Sequence, residues 1–282
     1  MKKWLSLLLV LSLALVLAAC GTSKKDDTAS SGDSGKKLTK LVVGASNVPH
    51  AEILEKAKPI LKEKGIDLEI KKFQDYILPN KALASKELDA NYFQHIPYLN
   101  SQNKEFGYGF VNAGGIHIEP IGIYSKKYKK LSDLPNGAHL IMSNSVADHG
   151  RLLSLLEAQG LIKLKPGIDK TTATIKDVVE NPKKLKFDTN YEASLLPKIY
   201  QNGEGDAVLI NSNYAIDAGL NPLKDSIAIE DKNSPYVNVI AVRKGDENKP
   251  AIKTLVEVLH SKEIQDFILQ KYKGAVVPVS AK

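Results

Sequence analysis

A strand, a helix and a second strand follow one another where the folded part begins, and that order constrains the architecture more than any single motif. Leu41, Val42 and Val43, closed by Gly44, read as a buried strand. After the turn Ser46-Asn47-Val48-Pro49, apolar residues Ile53, Leu54, Ala57, Ile60 and Leu61 recur at helical spacing until Gly65. Ile66, Leu68 and Ile70 then alternate with charged residues as a second strand. Strands joined by a helix in this way lie parallel, and ligands of such sheets sit beyond the carboxyl ends of the strands.

The pattern then repeats with different partners. Gln74-Asp75-Tyr76 and Pro79-Asn80 lead into a short helix through Leu83 and Leu88, and Phe110 to Ile123 is extended and apolar, with His117 and Pro120 inside it. A second α/β unit starts after the turn at Leu131 to Gly137: a strand near His139 to Met142, a loop Ser143 to Gly150, and a helix Arg151 to Gln159 closed by Gly160. Ala207 to Ile210 is another short strand. Tyr236 to Arg243 reads as a strand returning to the first unit, followed by a helix carrying Ile252, Leu255, Val256 and Leu259 and a further turn through Ile264, Phe267 and Ile268. A first unit resumed after a second requires two crossings, expected near Ile121 to Ser125 and near Ser234 to Ile240. Two crossings make a hinge with a closable cleft. The expected lobes are 38–122 with 240–282, and 123–239.

The first residues are of another kind. Met1, Lys2 and Lys3 precede an apolar run, Trp4 to Ala19, shorter than the roughly 20 residues of a spanning helix, so residues 1–19 read as an export signal. Leu17-Ala18-Ala19-Cys20-Gly21 resembles a bacterial lipobox, in which the cysteine is lipidated and becomes the mature N-terminus. Cys20 is the only cysteine, so the chain forms no internal disulfide and no cysteine metal site. Gly21 to Lys37 is Ser, Gly, Thr, Asp and Lys with almost nothing apolar, and residues 20–37 read as a lipidated cysteine and its tether. The product is a domain held at a bacterial cell membrane, on its extracytoplasmic face. Net charge is +7, or +5 without Lys2 and Lys3 (7 − 2), spread as surface lysine with no nucleic-acid recognition motif.

Three groups of residues carry candidate chemistry. Leu88 to Leu99, LDANYFQHIPYL, concentrates Tyr92, Phe93, His95 and Tyr98 among Asp89, Asn91 and Gln94, and Pro97 stops a regular helix from running through them. An irregular segment offering ring faces beside amide and imidazole donors suits a small amphipathic ligand, although rings at such density also serve a core. Arginine occurs only twice, at Arg151 and Arg243, against 37 lysines (39 − 2). Arg243 precedes Lys-Gly-Asp-Glu and reads as a surface ion pair. Arg151 begins a helix after a polar loop, where a planar two-pronged donor suits a ligand carboxylate or a structural ion pair. Asn211, Asn213 and Asn238 lie after or within strands, where amide oxygens can accept from an ammonium.

VPHAEIL at 48–54, DANYFQHIPYL at 89–99, GIYS at 122–125, GRLLSLLEAQGLIKL at 150–164, NSNYAIDAGL at 211–220, SPYVNVIAVR at 234–243 and YKGAVVP at 272–278 together resemble the NlpA/MetQ family, lipoproteins that bind methionine for ABC importers. The resemblance runs in order from Leu41 to Pro278. It implies an α/β, two-lobed periplasmic-binding-protein fold of type II-like form with the ligand between the lobes. Carried over position by position, it also implies that Tyr76, Phe93 and His95 line the side-chain pocket with Tyr92 and Tyr98 as neighbours, that Arg151 holds the carboxylate, and that Asn213 and Asn238 receive the amino group. The family's loop before the Gly-Arg pair is often of Asn-Asp-Pro-Thr-Asn type, whereas this chain has Asn144-Ser145-Val146-Ala147-Asp148-His149. Asn144 and Asp148 therefore either touch the ligand or shape the loop, and a changed loop would admit a methionyl dipeptide or another amino acid.

The resulting expectation is a monomeric, lipid-anchored receptor that delivers L-methionine or a close analogue to an ABC permease, with no cofactor and no nucleic-acid partner. A hydrolase is the competing class, but the chain has no G-x-S-x-G, H-E-x-x-H or G-x-x-x-x-G-K-[ST] motif. Its six histidines, His50, His95, His117, His139, His149 and His260, never fall at zinc-ligand spacing, so no metal is expected. A surface adhesin, the third reading, would ignore free amino acids.

Overall fold

The computed structural model describes residues 37–280. Cys20, the signal segment and the tether up to residue 36 lie outside the described residues. Among the described residues no helix is long and apolar enough to cross a membrane.

The opening unit forms as its periodicity predicts. Strand β1 (Thr39–Ser46), helix α1 (Glu52–Glu63) and strand β2 (Ile66–Phe73) place β1 and β2 in parallel register, Leu41 opposite Leu68 and Val43 opposite Ile70. Helix α2 (Leu78–Ala84), strand β3 (Ala90–His95), helix α3 (Ile96–Phe106) and strand β4 (Phe110–Ile118) complete the first pass through this lobe. The ring-rich stretch is therefore not irregular. It is a fully buried strand that turns directly into a helix, and Pro97 opens that helix instead of blocking one. A proline in the first turn loses no intrahelical hydrogen bond, because its N–H would be unpaired there in any case.

The second lobe comprises strands β5 (Gly122–Tyr124) and β6 (His139–Ser143), helix α4 (Val146–Ala158), the small ribbon of β7 (Lys163–Leu164) and β8 (Val178–Glu180), and then β9 (Lys186–Tyr191), α5 (Leu196–Gln201), β10 (Ala207–Ile210), α6 (Ser212–Asp217), α7 (Pro222–Asp225) and β11 (Ser226–Ile229). The chain returns to the first lobe through β12 (Val237–Arg243), α8 (Pro250–Leu259), α9 (Lys262–Tyr272) and β13 (Val277–Pro278). The final apolar pattern is thus two helices where one with a further turn was expected, split at Ser261, which precedes the second.

The strands make a six-stranded sheet in the order β13-β4-β12-β3-β1-β2 and a five-stranded sheet in the order β11-β5-β10-β6-β9. Each has its own core: Val43, Ile53, Leu54, Ile240 and Leu255 belong to the first, and Ile123, Leu140, Leu152, Leu156 and Leu209 to the second. The chain changes sheets through residues 119–121 and 230–236, a few residues ahead of the expected boundaries at 122/123 and 239/240. Both connections are tied together at one point, where the Glu230 N–H donates to the Ile121 carbonyl at 3.0 Å and the Ile121 N–H donates to Glu230 Oε2 at 3.2 Å.

Candidate functional site

The carboxyl ends of β3, β6 and β10 converge where the two sheets meet. On the first lobe, Asn238 of β12 pairs with His95 and Ile240 with Tyr92, so Phe93 and Gln94 together oppose Val239. That two-against-one mismatch is a bulge, which bends a strand and re-aims its side chains. Strict alternation would separate neighbours, yet Phe93, Gln94 and His95 all border one cavity. Tyr98, in the first turn of α3, and Tyr76, in the loop before α2, join them. The Tyr76, Phe93 and Tyr98 rings lie 5.9–6.0 Å apart centre to centre, and the Tyr98 hydroxyl donates to the Tyr76 carbonyl at 2.9 Å. His95 caps α3, its Nδ1 accepting from the Tyr98 N–H at 3.1 Å, which leaves the proton on Nε2, 3.5 Å from Asp148 Oδ1.

The opposite wall is polar. Helix α4 starts at Val146, so Arg151 is not at the helix start as the sequence suggested but in its second turn, 4% exposed, with Asp148 in the first turn. Arg151 Nη2 donates to the Glu119 carbonyl at 2.8 Å and to the Glu230 carboxylate, and Nε donates to Glu230 Oε1 at 3.3 Å. The guanidinium carbon stands 4.5 Å from the centre of the Tyr236 ring. One side chain thus grips both inter-lobe connections. Burial alone would lower its pKa, but Glu230 outweighs it and holds the charge. The structural ion pair and the ligand reading coexist here, because Nη1 makes no hydrogen bond among the described residues while Arg151 borders the cavity.

Asp148, 2% exposed, accepts from Ser143 Oγ at 2.9 Å and from Asn211 Nδ2 at 3.3 Å to each oxygen. Burial would raise its pKa, but the hydrogen bond from His95 and the charge of Arg151 pull it below the usual carboxylate range. Asn211 Oδ1 is buried with no partner among the described residues, a free acceptor on the cavity wall. Asn213 lies at the start of α6, and its Oδ1 accepts from the Tyr76 hydroxyl at 2.6 Å, a direct bridge between the lobes.

Behind the cavity lies a cluster that linear spacing concealed. Glu119 Oε1 faces His117 Nε2 at 2.7 Å and His50 Nε2 at 3.1 Å, while Oε2 accepts from the Asn213 N–H at 3.1 Å. His50 Nε2 also lies 3.0 Å from Asn238 Oδ1, and the Tyr92 hydroxyl bonds to His117 Nδ1. Burial lowers the His50 pKa to about 4 and the His117 pKa to about 3, so both rings are neutral near pH 7, and burial raises that of Glu119. Among the described residues His50, His117 and Glu119 are the grouping whose ligand atoms, within 4.8 Å of one another, have the chemistry to hold a metal ion, although no sequence spacing suggested one.

Of the expected residues, Tyr76, Phe93, His95, Arg151, Asn213 and Asn238 all border the same cavity, as do Tyr98, Asp148 and Asn211. The non-atom space at this site, open solvent included, is about 380 Å³. Two of the possible contacts do not border it. Tyr92, on the other face of β3 from Phe93, is packed in the first core and against His50 and His117. Asn144 is exposed and borders an outer groove. Glu119, Glu230 and Tyr236 were missed. A glutamate inside the apolar run Gly115-Ile116-His117-Ile118-Glu119-Pro120-Ile121 was a signal for a buried carboxylate. Glu230, followed by Asp-Lys-Asn, resembles any surface turn.

Comparison with known proteins places these features in context. The NlpA lipoprotein family matches residues 41–280. The methionine-binding lipoprotein MetQ of Bacillus subtilis (strain 168) is 54% identical over 282 residues, 99% of this chain and 100% of the relative. Among solved structures, a nutrient binding protein from Burkholderia cenocepacia bound to methionine is 45% identical with a TM-score of 0.80, the match covering 84% of this chain and 99% of that one. A periplasmic substrate-binding protein of an ABC transporter from Coxiella burnetii is 40% identical with a TM-score of 0.79, covering 85% and 100%.

Proposed function

The chain belongs to the NlpA lipoprotein family, and from that premise we propose that it is the lipid-anchored substrate-binding protein of an ABC importer, taking L-methionine or a close analogue between its lobes. The observation that carries this reading is a single buried guanidinium facing a cluster of three rings across one cavity at the junction of the two sheets.

Each end of an amino acid has a counterpart. Arg151 Nη1 takes the carboxylate while Glu230 and Tyr236 fix the guanidinium plane. Tyr76, Phe93, Tyr98 and His95 surround the side chain, and Asn213 and Asn238 offer amide oxygens to the ammonium. Burying a thioether contributes about 1.5–3 kcal/mol, and each charge-assisted hydrogen bond about 1.5–3 kcal/mol. Association costs at least about 4 kcal/mol. A micromolar complex, about −8 kcal/mol, therefore needs both charged ends engaged at once, which only an approach of the two lobes provides. That approach is the state a permease can read. The ligand is released unchanged, since the site presents no activated nucleophile.

Cys20 carries the lipid and the monomeric domain works at the extracytoplasmic face of the membrane. Mass spectrometry of small molecules released on denaturing the purified protein tests the ligand: methionine is expected, and a dipeptide or another amino acid would replace it. Calorimetry serves for affinity, because the sole tryptophan, Trp4, belongs to the signal segment. For the anchor, a precursor carrying Cys20→Ala should remain unacylated, and acylation there would refute the lipobox.

A further inference from the structure

The cavity wall carries more negative charge than its guanidinium balances. Arg151 is matched by Glu230, yet Asp148 and Glu119 also border the cavity, 2% and 6% exposed. A zwitterion brings an ammonium to such a wall, and counting lone pairs decides which carboxylate meets it. An ionised carboxylate has about four acceptor sites. Asp148 has all of them engaged: His95 and Asn211 on Oδ1, Ser143 and Asn211 on Oδ2. Among the described residues Glu119 accepts from His117 on Oε1, with His50 Nε2 3.1 Å away but bonded to Asn238, and only from the Asn213 N–H on Oε2, so Oε2 keeps one free site. Its neighbours are in the same condition. Among the described residues Asn213 Oδ1 accepts only from the Tyr76 hydroxyl and Asn238 Oδ1 only from His50 Nε2, which leaves each amide oxygen one lone pair.

We propose that Glu119 is the anionic seat for the ligand's ammonium group, completed by the amide oxygens of Asn213 and Asn238, with His50 and His117 as positioning residues that fix the carboxylate from behind. This rests on the amino-acid-binding reading above. Three acceptors with one free lone pair each match the three N–H bonds of an ammonium. His117 serves as an N–H donor: Tyr92 occupies its Nδ1, leaving Nε2 to donate to Glu119 Oε1, while His50 Nε2 bonds to Asn238 Oδ1 and stands 3.1 Å from the same carboxylate oxygen. His117 Nε2 is hydrogen-bonded to Glu119 at 2.7 Å and His50 Nε2 to Asn238 at 3.0 Å, so the ligand atoms of this trio are committed to protein partners and not to a metal ion. The seat makes the amine a requirement. A ligand that lacks it leaves a buried carboxylate and two amide oxygens unpaired, the arrangement that discriminates most strongly between analogues.

Calorimetric titration with L-methionine and with its 2-hydroxy analogue, which replaces the amine by a hydroxyl, tests the seat. The unaltered protein should prefer L-methionine by at least about 100-fold. Glu119→Gln, which keeps shape and removes charge, should weaken L-methionine by more than about 30-fold and the hydroxy analogue by less than about threefold. Glu119→Asp should recover part of the loss. Equal affinity of the unaltered protein for the two ligands overturns the seat without any variant having to fold. So does a Glu119→Gln protein that binds L-methionine as before or loses both ligands alike, and so does purified protein carrying one zinc per chain that Glu119→Gln removes. A protein that binds neither ligand overturns the methionine reading itself, a result distinct from all of these.

Discussion

The two walls of the cavity are built in opposite ways. The ring wall comes from one place in the chain: a bulge at the end of β3 and the first turn of α3 deliver Phe93, His95 and Tyr98 together, with Tyr76 laid across them. Its rings pack on one another, with two polar ties across the cavity, Tyr76 to Asn213 and His95 to Asp148. The polar wall is assembled from the ends of β6 and β10, and its central residue, Arg151, reaches through Glu119 and Glu230 to both inter-lobe connections. A local wall should fail locally, by losing ligand contact. A wall wired to the hinge should lose ligand affinity and fold stability together.

Arg151→Ala is the most severe test of that difference. It removes the carboxylate donor and strands the part-buried Glu230, so affinity for L-methionine should fall by at least about 100-fold. Stability should fall by about 3–5 kcal/mol, the usual consequence of leaving one buried charge unpaired. Calorimetry and thermal melting read the two effects separately, and a full loss of affinity with an unchanged melting curve would show that the guanidinium is not needed to hold the connections. On the other wall, Phe93→Ala should weaken binding by about 10- to 100-fold, the value of roughly 1.5–3 kcal/mol of apolar contact. Its melting temperature should move less than that of Arg151→Ala. The reverse order would mean that the ring cluster, and not the polar network, keeps the lobes in place.

This asymmetry also explains what could be read from the sequence. The opening strand–helix–strand was legible because Leu41 to Ile70 obeys one periodicity after another. The ring wall was legible as a location because its residues are neighbours, but not as a shape: nothing local announces that Val239 will oppose two residues of β3, and without that bulge Pro97 reads as a breaker. Arg151 stood out through rarity alone, and its place was misjudged by one turn because Ser145 to Gly150, polar in composition, begins the helix instead of preceding it. Glu230 and His50 were invisible, since their significance lies in partners 79 and 188 residues away. Long-range electrostatic wiring leaves little local trace.

The cluster behind the polar wall predicts a smaller, graded effect. His50 and His117 are held neutral by burial, with pKa values of about 4 and about 3 against 6.5 when exposed. The unfolded chain therefore binds protons that the folded one refuses as pH falls below about 6.5, and stability declines by up to about 1.4 kcal/mol per unit for each histidine until about pH 4. Glu119 opposes this, because burial raises its pKa and lets the folded state take up a proton earlier. Melting temperature should thus drop between pH 6.5 and 4.5, and His117→Phe should flatten the slope. A slope that His117→Phe leaves unchanged would mean that the His117 imidazole is charged in the folded protein.

The smallest effect on binding belongs to the other arginine, and it isolates place from chemistry. Arg243 is no free surface ion pair: its Nη1 bridges the carbonyls of Leu83 and Leu88 at 2.8 and 2.6 Å, and Nη2 meets Asp246 at 2.9 Å. It therefore clamps the turn between α2 and β3, on the ring wall's side of the molecule. Arg243→Ala should cost about 1–2 kcal/mol of stability, since two carbonyls lose a charged donor, and should leave L-methionine affinity within about twofold, because the bulge that aims Phe93 is fixed by its pairing with β12. If affinity instead fell with stability, the turn would have to be part of what orients Phe93, and the ring wall would be less local than the sheet register indicates.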